Sequence, residues 1–227
     1  MLLFIYIIEK LIIVFKFYIR GEYMLTTYRN NFHNKNIYIY FENEDISPML
    51  SFRAIADKFD APLQIMLEDK DDLKRNFILQ NDFKLVRTCY SCEFSSSDLK
   101  IAPSDTKIMT TVKNREFSWN YYNHYKKMHQ AINPLTAGFE EFVEILPNEV
   151  YFVDEKNFAF VEDNEIAYVL CEETSTGDDF LLALCHALIC KYETIVFEAD
   201  DVDPIAMRLK NKFVNGFVEK TETWIYK

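Results

Sequence analysis

From Glu165 to Lys227 the pattern runs as an apolar run, a turn containing Gly177, an apolar helix-length segment, a second apolar run, an amphipathic segment and a closing β-rich stretch. That order predicts β-α-β-α-β. Ligands of open α/β sheets sit outside the carboxyl ends of the strands, where helix amino termini face them. The first connection, Cys171 to Phe180, is therefore the expected ligand crevice.

An earlier copy of this pattern precedes it. Ile37 to Phe41 (IYIYF) predicts a strand and is followed by a polar turn. Met49 to Phe59 predicts a helix started by Pro48, with Leu50, Ala54 and Phe59 near one face. Pro62 to Leu67 predicts the second strand, and Asp71-Asp72 open a helix with Leu73, Phe77 and Gln80 at helical spacing. Phe83 begins the last β segment, so a repeated β-α-β-α-β unit is expected. Ser95 to Glu116 reads as a polar linker in which Lys107 to Val112 can form a short strand. Phe117 to Ile132 then predicts a helix ended by Asn133-Pro134, and Ala137 to Ile145 a second one. The runs at 150–153, 158–162 and 166–171, separated by short polar turns, predict an antiparallel meander. The expected organisation is an apolar extension (1–23), a partial unit (24–98), a linker (99–116) and a complete α/β domain with a mixed sheet (117–227).

The extension MLLFIYIIEKLIIVFKFYIRGEY would suit a membrane helix but for Glu9 and Lys10 near its middle, each costing about 2.5–3.5 kcal/mol there. No basic region precedes the apolar run and no A-x-A site follows it, so it is a poor signal peptide. Arg20-Gly21-Glu22-Tyr23 can be encoded by a purine-rich stretch resembling a ribosome-binding site, which makes Met24 the expected start of translation, with a membrane or interfacial anchor as the alternative.

Composition narrows the chemistry. Of 227 residues, 49% are apolar and 16% aromatic, enough for a substantial core. A net charge of −11 argues against non-specific nucleic-acid binding, which needs Lys and Arg against phosphates, and favours a cationic substrate such as an amine. Four glycines are too few for a conventional Gly-rich nucleotide loop. Five cysteines give no disulfide framework and suit a cytoplasmic location. Cys89 and Cys92 form a CxxC, but in a strand they point to opposite faces, and no second ligand pair occurs at zinc spacing. No metal is expected.

The order α-α-β-β-β-α-β-α-β resembles the GNAT superfamily of acyl-CoA N-acyltransferases. In the last helix and its exit, Asp203, Ala206, Leu209 with Lys210, and Gly216-Phe217 occupy the places of the family's Asn, Ala, Leu-Tyr and Gly-Phe. Asn76 and Asn81-Asp82-Phe83 give the earlier copy a similar ending. The resemblance implies a GNAT-like fold, acetyl-CoA as co-substrate, and as acceptor an amine of a small molecule or peptide, bound between the meander and the helix at 117–132. It places the cofactor on Leu170, Cys171, Ser175, Thr176, Gly177, Asp178, Asp179 and Phe180, with Asp203 nearby. The loop departs from the family's Q/R-x-x-G-x-G/A: it has one glycine, no Arg, and the carboxylates Glu172, Glu173, Asp178 and Asp179. Asp178 and Asp179 would either repel phosphate or merely cap the helix. The matching stretch of the earlier copy, Asn43 to Pro48, has no glycine, and no cofactor is expected there.

Amine acylation needs a base for the amine and a proton donor for the departing thiolate. The resemblance puts Lys210 where the family often has a Tyr donor; the Tyr cluster at 121–125 and Tyr226 are alternatives. Glu172, Glu198 and Asp200, near the carboxyl ends of adjacent strands, are the candidate bases, or else solvated surface acids. Tyr121, Tyr122 and Tyr125, with Trp119, line a helix that borders substrate in the family, although an aromatic stripe at this spacing equally builds core. His124 and His129 are off the i, i+4 register of a metal pair, and His186, in LLALCHALIC, is expected as a core histidine. The competing function is a catalytically degenerate GNAT-like binding or interaction module.

Overall fold

The computed structural model describes residues 15–19, 22–41, 51–100 and 105–227. Pro48, Leu50 and the stretch 43–48 lie outside them, as do residues 1–14. The chain forms two compact units, and neither is a contiguous half: the first holds residues 1–87, 129–137 and 221–227, the second 88–128 and 138–220.

The first unit contains β1 (Phe15–Ile19), β2 (Glu22–Tyr28), β3 (Ile37–Phe41), α1 (Phe52–Phe59), β4 (Leu63–Glu68) and α2 (Asp72–Gln80). β1, β2 and β3 pair antiparallel in sequence, and β3 runs parallel to β4. The stretch Phe15–Ile19 is thus strand and not part of a membrane helix. Among the described residues no helix is long and apolar enough to cross a membrane.

Local chemistry explains the helix starts. Ser51 caps α1 by accepting from the Ala54 N–H at 3.2 Å, and Asp71 caps α2 by accepting from the Lys74 N–H at 3.2 Å. Phe59 and Phe77 pack against the core as expected, but the rest of each buried face differs. Phe52 and Ile55 face the core from α1 while Ala54 is exposed, and in α2 Ile78 is buried while Leu73 and Gln80 face solvent. These helices have eight and nine residues, too short for a stripe to fix its phase from spacing alone.

The second unit contains β6 (Met109–Val112), α3 (Arg115–His129, its last residue belonging to the first unit), α4 (Phe139–Ile145), β7 (Glu149–Asp154), β8 (Asn157–Glu162), β9 (Glu165–Leu170), α5 (Ser175–Tyr192), β10 (Thr194–Asp200) and α6 (Pro204–Lys210). Strands β6 to β9 form the antiparallel meander, and β9 runs parallel to β10 through the α5 crossover. The segment read as a linker is woven into this unit: β6 pairs with β7, and the Lys100 N–H donates to the Lys212 carbonyl at 2.9 Å.

The closing strand of each repeat completes the other repeat's sheet. β5 (Lys84–Ser95), last in the earlier copy, pairs antiparallel with β10 along Cys89 to Ser95. β11 (Phe217–Tyr226), last in the later copy, pairs antiparallel with β4 along Thr221 to Tyr226. The mixed α/β architecture expected from sequence is therefore present, with its terminal strands exchanged.

Apolar burial on one sheet face of the second unit joins Ile166, Val169, Ile195, Phe197 and Ala199 to Phe180, Leu184, Cys185 and Leu188 of α5. His186 is exposed instead of core, beside Cys190 with Sγ 3.6 Å from Nε2. One residue beyond Cys185, it is turned by the helical 3.6-residue period away from the buried face. The opposite sheet face is aromatic, where Tyr121 lies 5.0 Å from Tyr168 and 6.1 Å from Phe160, and Phe117 lies 4.8 Å from Phe158.

In the first unit, residues 129–137 are held by a buried polar network. The expected helix ends at His129 and not at Ile132. Asn133 accepts at its carbonyl from His33 Nδ1 (2.7 Å), and its side-chain amide donates to Gln64 Oε1 and the Tyr38 hydroxyl at 3.1 Å. Arg87 donates to Thr223 Oγ1 at 3.3 Å and faces His129. His129 is part of this network and no metal-ligating cluster exists among the described residues.

Candidate active site

β9 and β10 are in parallel register only over Glu165–Ile166 and Val196–Phe197. Both continue as strands, to Leu170 and Asp200, so their paths part toward the carboxyl ends. A second irregularity sits at the same place. Against β8, Val161 pairs with Ile166 and Phe160 with Tyr168, which leaves Ala167 as an extra residue. Such a bulge re-aims side chains. It puts Ile166 and Val169, three apart, on the α5 face, and so turns Glu165 and Tyr168 together onto the aromatic α3 face.

Glu165, at the amino end of β9, is a strongly perturbed carboxyl. Burial, then the neighbouring Glu198 and Glu162, push its carboxyl up to about 7. Tyr168 and Tyr121 are held protonated well above neutral pH, mainly by burial. Beside them, His124 Nε2 lies 3.0 Å from Asp203 Oδ2, both side chains being largely buried. Asp203 Oδ1 accepts from the Ile205 and Ala206 N–H groups at 2.8 and 3.3 Å, capping α6.

The amino end of α5 lies where the first connection was read as the ligand crevice. Thr174 is the cap, and its hydroxyl accepts from the Gly177 N–H. A Cβ on Gly177 would fall 2.0 Å from the Glu172 carbonyl oxygen, so the loop lies directly on the helix and only glycine fits. Arg208 fastens the loop by donating to the Glu172 carbonyl at 2.9 Å and the Thr174 carbonyl at 3.4 Å. The loop has no Arg of its own and is held by one from α6. Asp178 is gripped by Lys212 and by Arg208 (3.1 Å), and these partners, Lys212 foremost, hold its carboxyl below the usual range. The repulsion expected from Asp178 is therefore offset by two cations. Asp179 is exposed.

The other sequence candidates fall into distinct places. Glu172 is tied to the β7–β8 turn, its side chain paired with Lys156 at 2.8 Å and its N–H donating to Asn157 Oδ1 at 3.1 Å. Glu198 is exposed on β10 just past the paired stretch, and Asp200 ends that strand half-buried. Lys210 lies 4.5 Å from the Tyr90 ring centroid, a cation–π contact. Leu170 is half-buried, Ser175 and Thr176 are exposed in the first turn of α5, and Phe180 is wholly buried in the core. Cys171 is buried, its thiol pushed up to about 11 chiefly by desolvation. Tyr121 and Tyr122 pack in the interior, whereas Tyr125 is half-buried, 5.0 Å from Phe142. Tyr226 packs tilted against Phe83 and Phe52 in the first unit. Cys89 and Cys92 are both buried, and none of the five cysteines forms a disulfide.

Sequence reasoning passed over Glu165, His124, Arg208 and Lys212. Glu165 carried a signal, being a carboxylate at the head of an apolar strand. Arg208 lies on α6 and Lys212 in the turn that follows it, with no pattern that marks them as a pair.

No family model and no curated protein matches the sequence. Solved structures do match. A GCN5-related N-acetyltransferase from Sphaerobacter thermophilus is similar with a TM-score of 0.51 at 9% identity, over 91% of this chain and 77% of that one. Another from Kribbella flavida gives 0.48 at 10%, over 91% and 57%, and a functionally unknown conserved protein from Staphylococcus epidermidis 0.49 at 10%, over 95% and 95%. At 9% identity the first likeness speaks for the fold alone, and it agrees with the element order, the parallel β9–β10 pair and the α5 crossover. The chain thus shares the fold of the Sphaerobacter thermophilus GCN5-related N-acetyltransferase.

Proposed function

We propose that the second unit is an N-acetyltransferase domain that transfers an acetyl group from acetyl-CoA to an amine of a small molecule or peptide. The observation that carries this reading is Glu165, a carboxyl pushed up to about 7 at the amino end of β9, where that strand is still paired with β10. A base of that strength takes a proton from an amine at neutral pH and keeps a usable ionised fraction. When bound, acetyl-CoA supplies the thioester carbonyl that the amine attacks. The amino end of α5, Arg208 and Lys212 form the donor set suited to its phosphates. The carboxylates Glu198 and Asp200 of β10 would favour a cationic amine. The test is release of CoA from acetyl-CoA in the presence of primary amines such as spermidine and lysine peptides. Amine-dependent release supports the reading, and its absence across the panel contradicts it.

One observation favours the alternative of a binding module: Asp178 occupies the two cations that a phosphate needs. Asp178→Asn tests whether that occupation weakens CoA binding. Removing one negative charge beside a well-hydrated phosphate is worth about 1 kcal/mol, so CoA is expected to bind about fivefold tighter. Weaker binding, measured by calorimetry, would show that Asp178 holds the cations in their working positions.

A further inference from the structure

We propose that His124, oriented by Asp203, is the proton donor to the departing thiolate; this rests on the acyl-transfer reading above. Lys210, read first as the donor, is engaged with the Tyr90 ring. Tyr121 and Tyr168 are held protonated by burial and bind their protons too tightly to relay them at neutral pH. Of the two imidazoles of the second unit among the described residues, His186 lies on the outer face of α5. His124 lies on the aromatic side, its ring 5.7 Å from that of Tyr121, whose neighbour Tyr168 shares its sheet face with Glu165.

The His124 side chain is 13% exposed and that of Asp203 12%, so the 3.0 Å contact between them is largely shielded from water. Asp203 cannot swing, because its other oxygen is fixed by two backbone N–H groups at the start of α6. A carboxylate on Nε2 accepts that nitrogen's proton and fixes the ring, so that when the ring carries a second proton it is Nδ1 that delivers it. In the reaction the amine nitrogen bonds the acyl carbon and the C–S bond breaks. The amine's proton goes to Glu165, the sulfur takes the proton from His124 Nδ1, and Glu165 and His124 re-equilibrate through solvent, so that one proton has moved from nitrogen to sulfur.

A donor of this kind matters most when the thiolate is a poor leaving group, and least when the thiol is acidic. In the full chain, His124→Gln is expected to lower kcat with acetyl-CoA about 100-fold, and less than about fivefold with an acetyl thioester of an acidic aryl thiol. Asp203→Asn, which retains the helix cap, is expected to show the same selective loss to a smaller degree. Thermal melts establish that both variants are folded. A loss equal for the two thioesters, or no loss, would overturn the assignment while leaving acyl transfer intact. A wild-type protein that transfers to no amine would overturn both.

Discussion

Gly177→Ala is expected to disrupt the candidate site and destabilise the second unit together. The added Cβ would stand 2.0 Å from the Glu172 carbonyl oxygen and 3.0 Å from its carbon, both backbone atoms that cannot rotate away. Relief requires the loop at 171–174 to lift from α5, which breaks the Arg208 bonds to the Glu172 and Thr174 carbonyls. Overpacking of this kind costs about 1–3 kcal/mol. For a chain of this size that is a fall in Tm of roughly 2–12 °C, with loss of acetyl-CoA binding. Gly138→Ala is the control: the nearest atom to its added Cβ is Glu141 Oε2, at 4.0 Å, and its effect is expected to stay within about 1 kcal/mol. Equal melting of Gly177→Ala and wild type would show that the loop does not lie on the helix.

Glu165→Gln is expected to cost the largest share of activity, about 10²–10⁴-fold in kcat, the range for loss of a positioned base. The pH dependence gives the sharper test. A base must be ionised, and burial with Glu198 and Glu162 holds Glu165 protonated up to about 7. Wild-type kcat/KM is therefore expected to rise with pH through about 7 and level off above it. The Gln variant should lack that limb. Stability carries the opposite sign: because folding raises this carboxyl above its ordinary value, wild type loses stability as pH rises toward 7, and the neutral Gln side chain does not. An unchanged acidic limb in Glu165→Gln would assign it to another group.

Much of the fold was legible because β-α-β-α-β has two periods that turns separate cleanly. The runs at Ile37, Leu63, Ile166 and Thr194 all became strands. Partner choice was not legible. The pattern of FKLVRTCYSCEF says strand, and nothing in it says that Cys89 to Ser95 will lie on β10, or that Thr221 to Tyr226 will close the sheet beside β4. That residues 171–174 lead into a helix was readable from topology, yet the loop's electrostatics depended on Arg208 and Lys212, which reach Asp178 from thirty or more residues away. Glu165 was hidden by the bulge at Ala167. With regular alternation Glu165 and Tyr168 would face opposite sides, and the extra residue brings them together. His186 misled because LLALCHALIC is apolar nearly all round, and periodicity cannot phase such a helix.

Calorimetric titration of acetyl-CoA into the full chain tests the central claim most directly, that the amino end of α5 in the second unit holds this co-substrate. One site per chain is predicted, weakened when Arg208 and Lys212 are both replaced by Gln. Absence of binding at about 1 mM ligand, an affinity weaker than about −4 kcal/mol, or binding indifferent to those two residues, would contradict it.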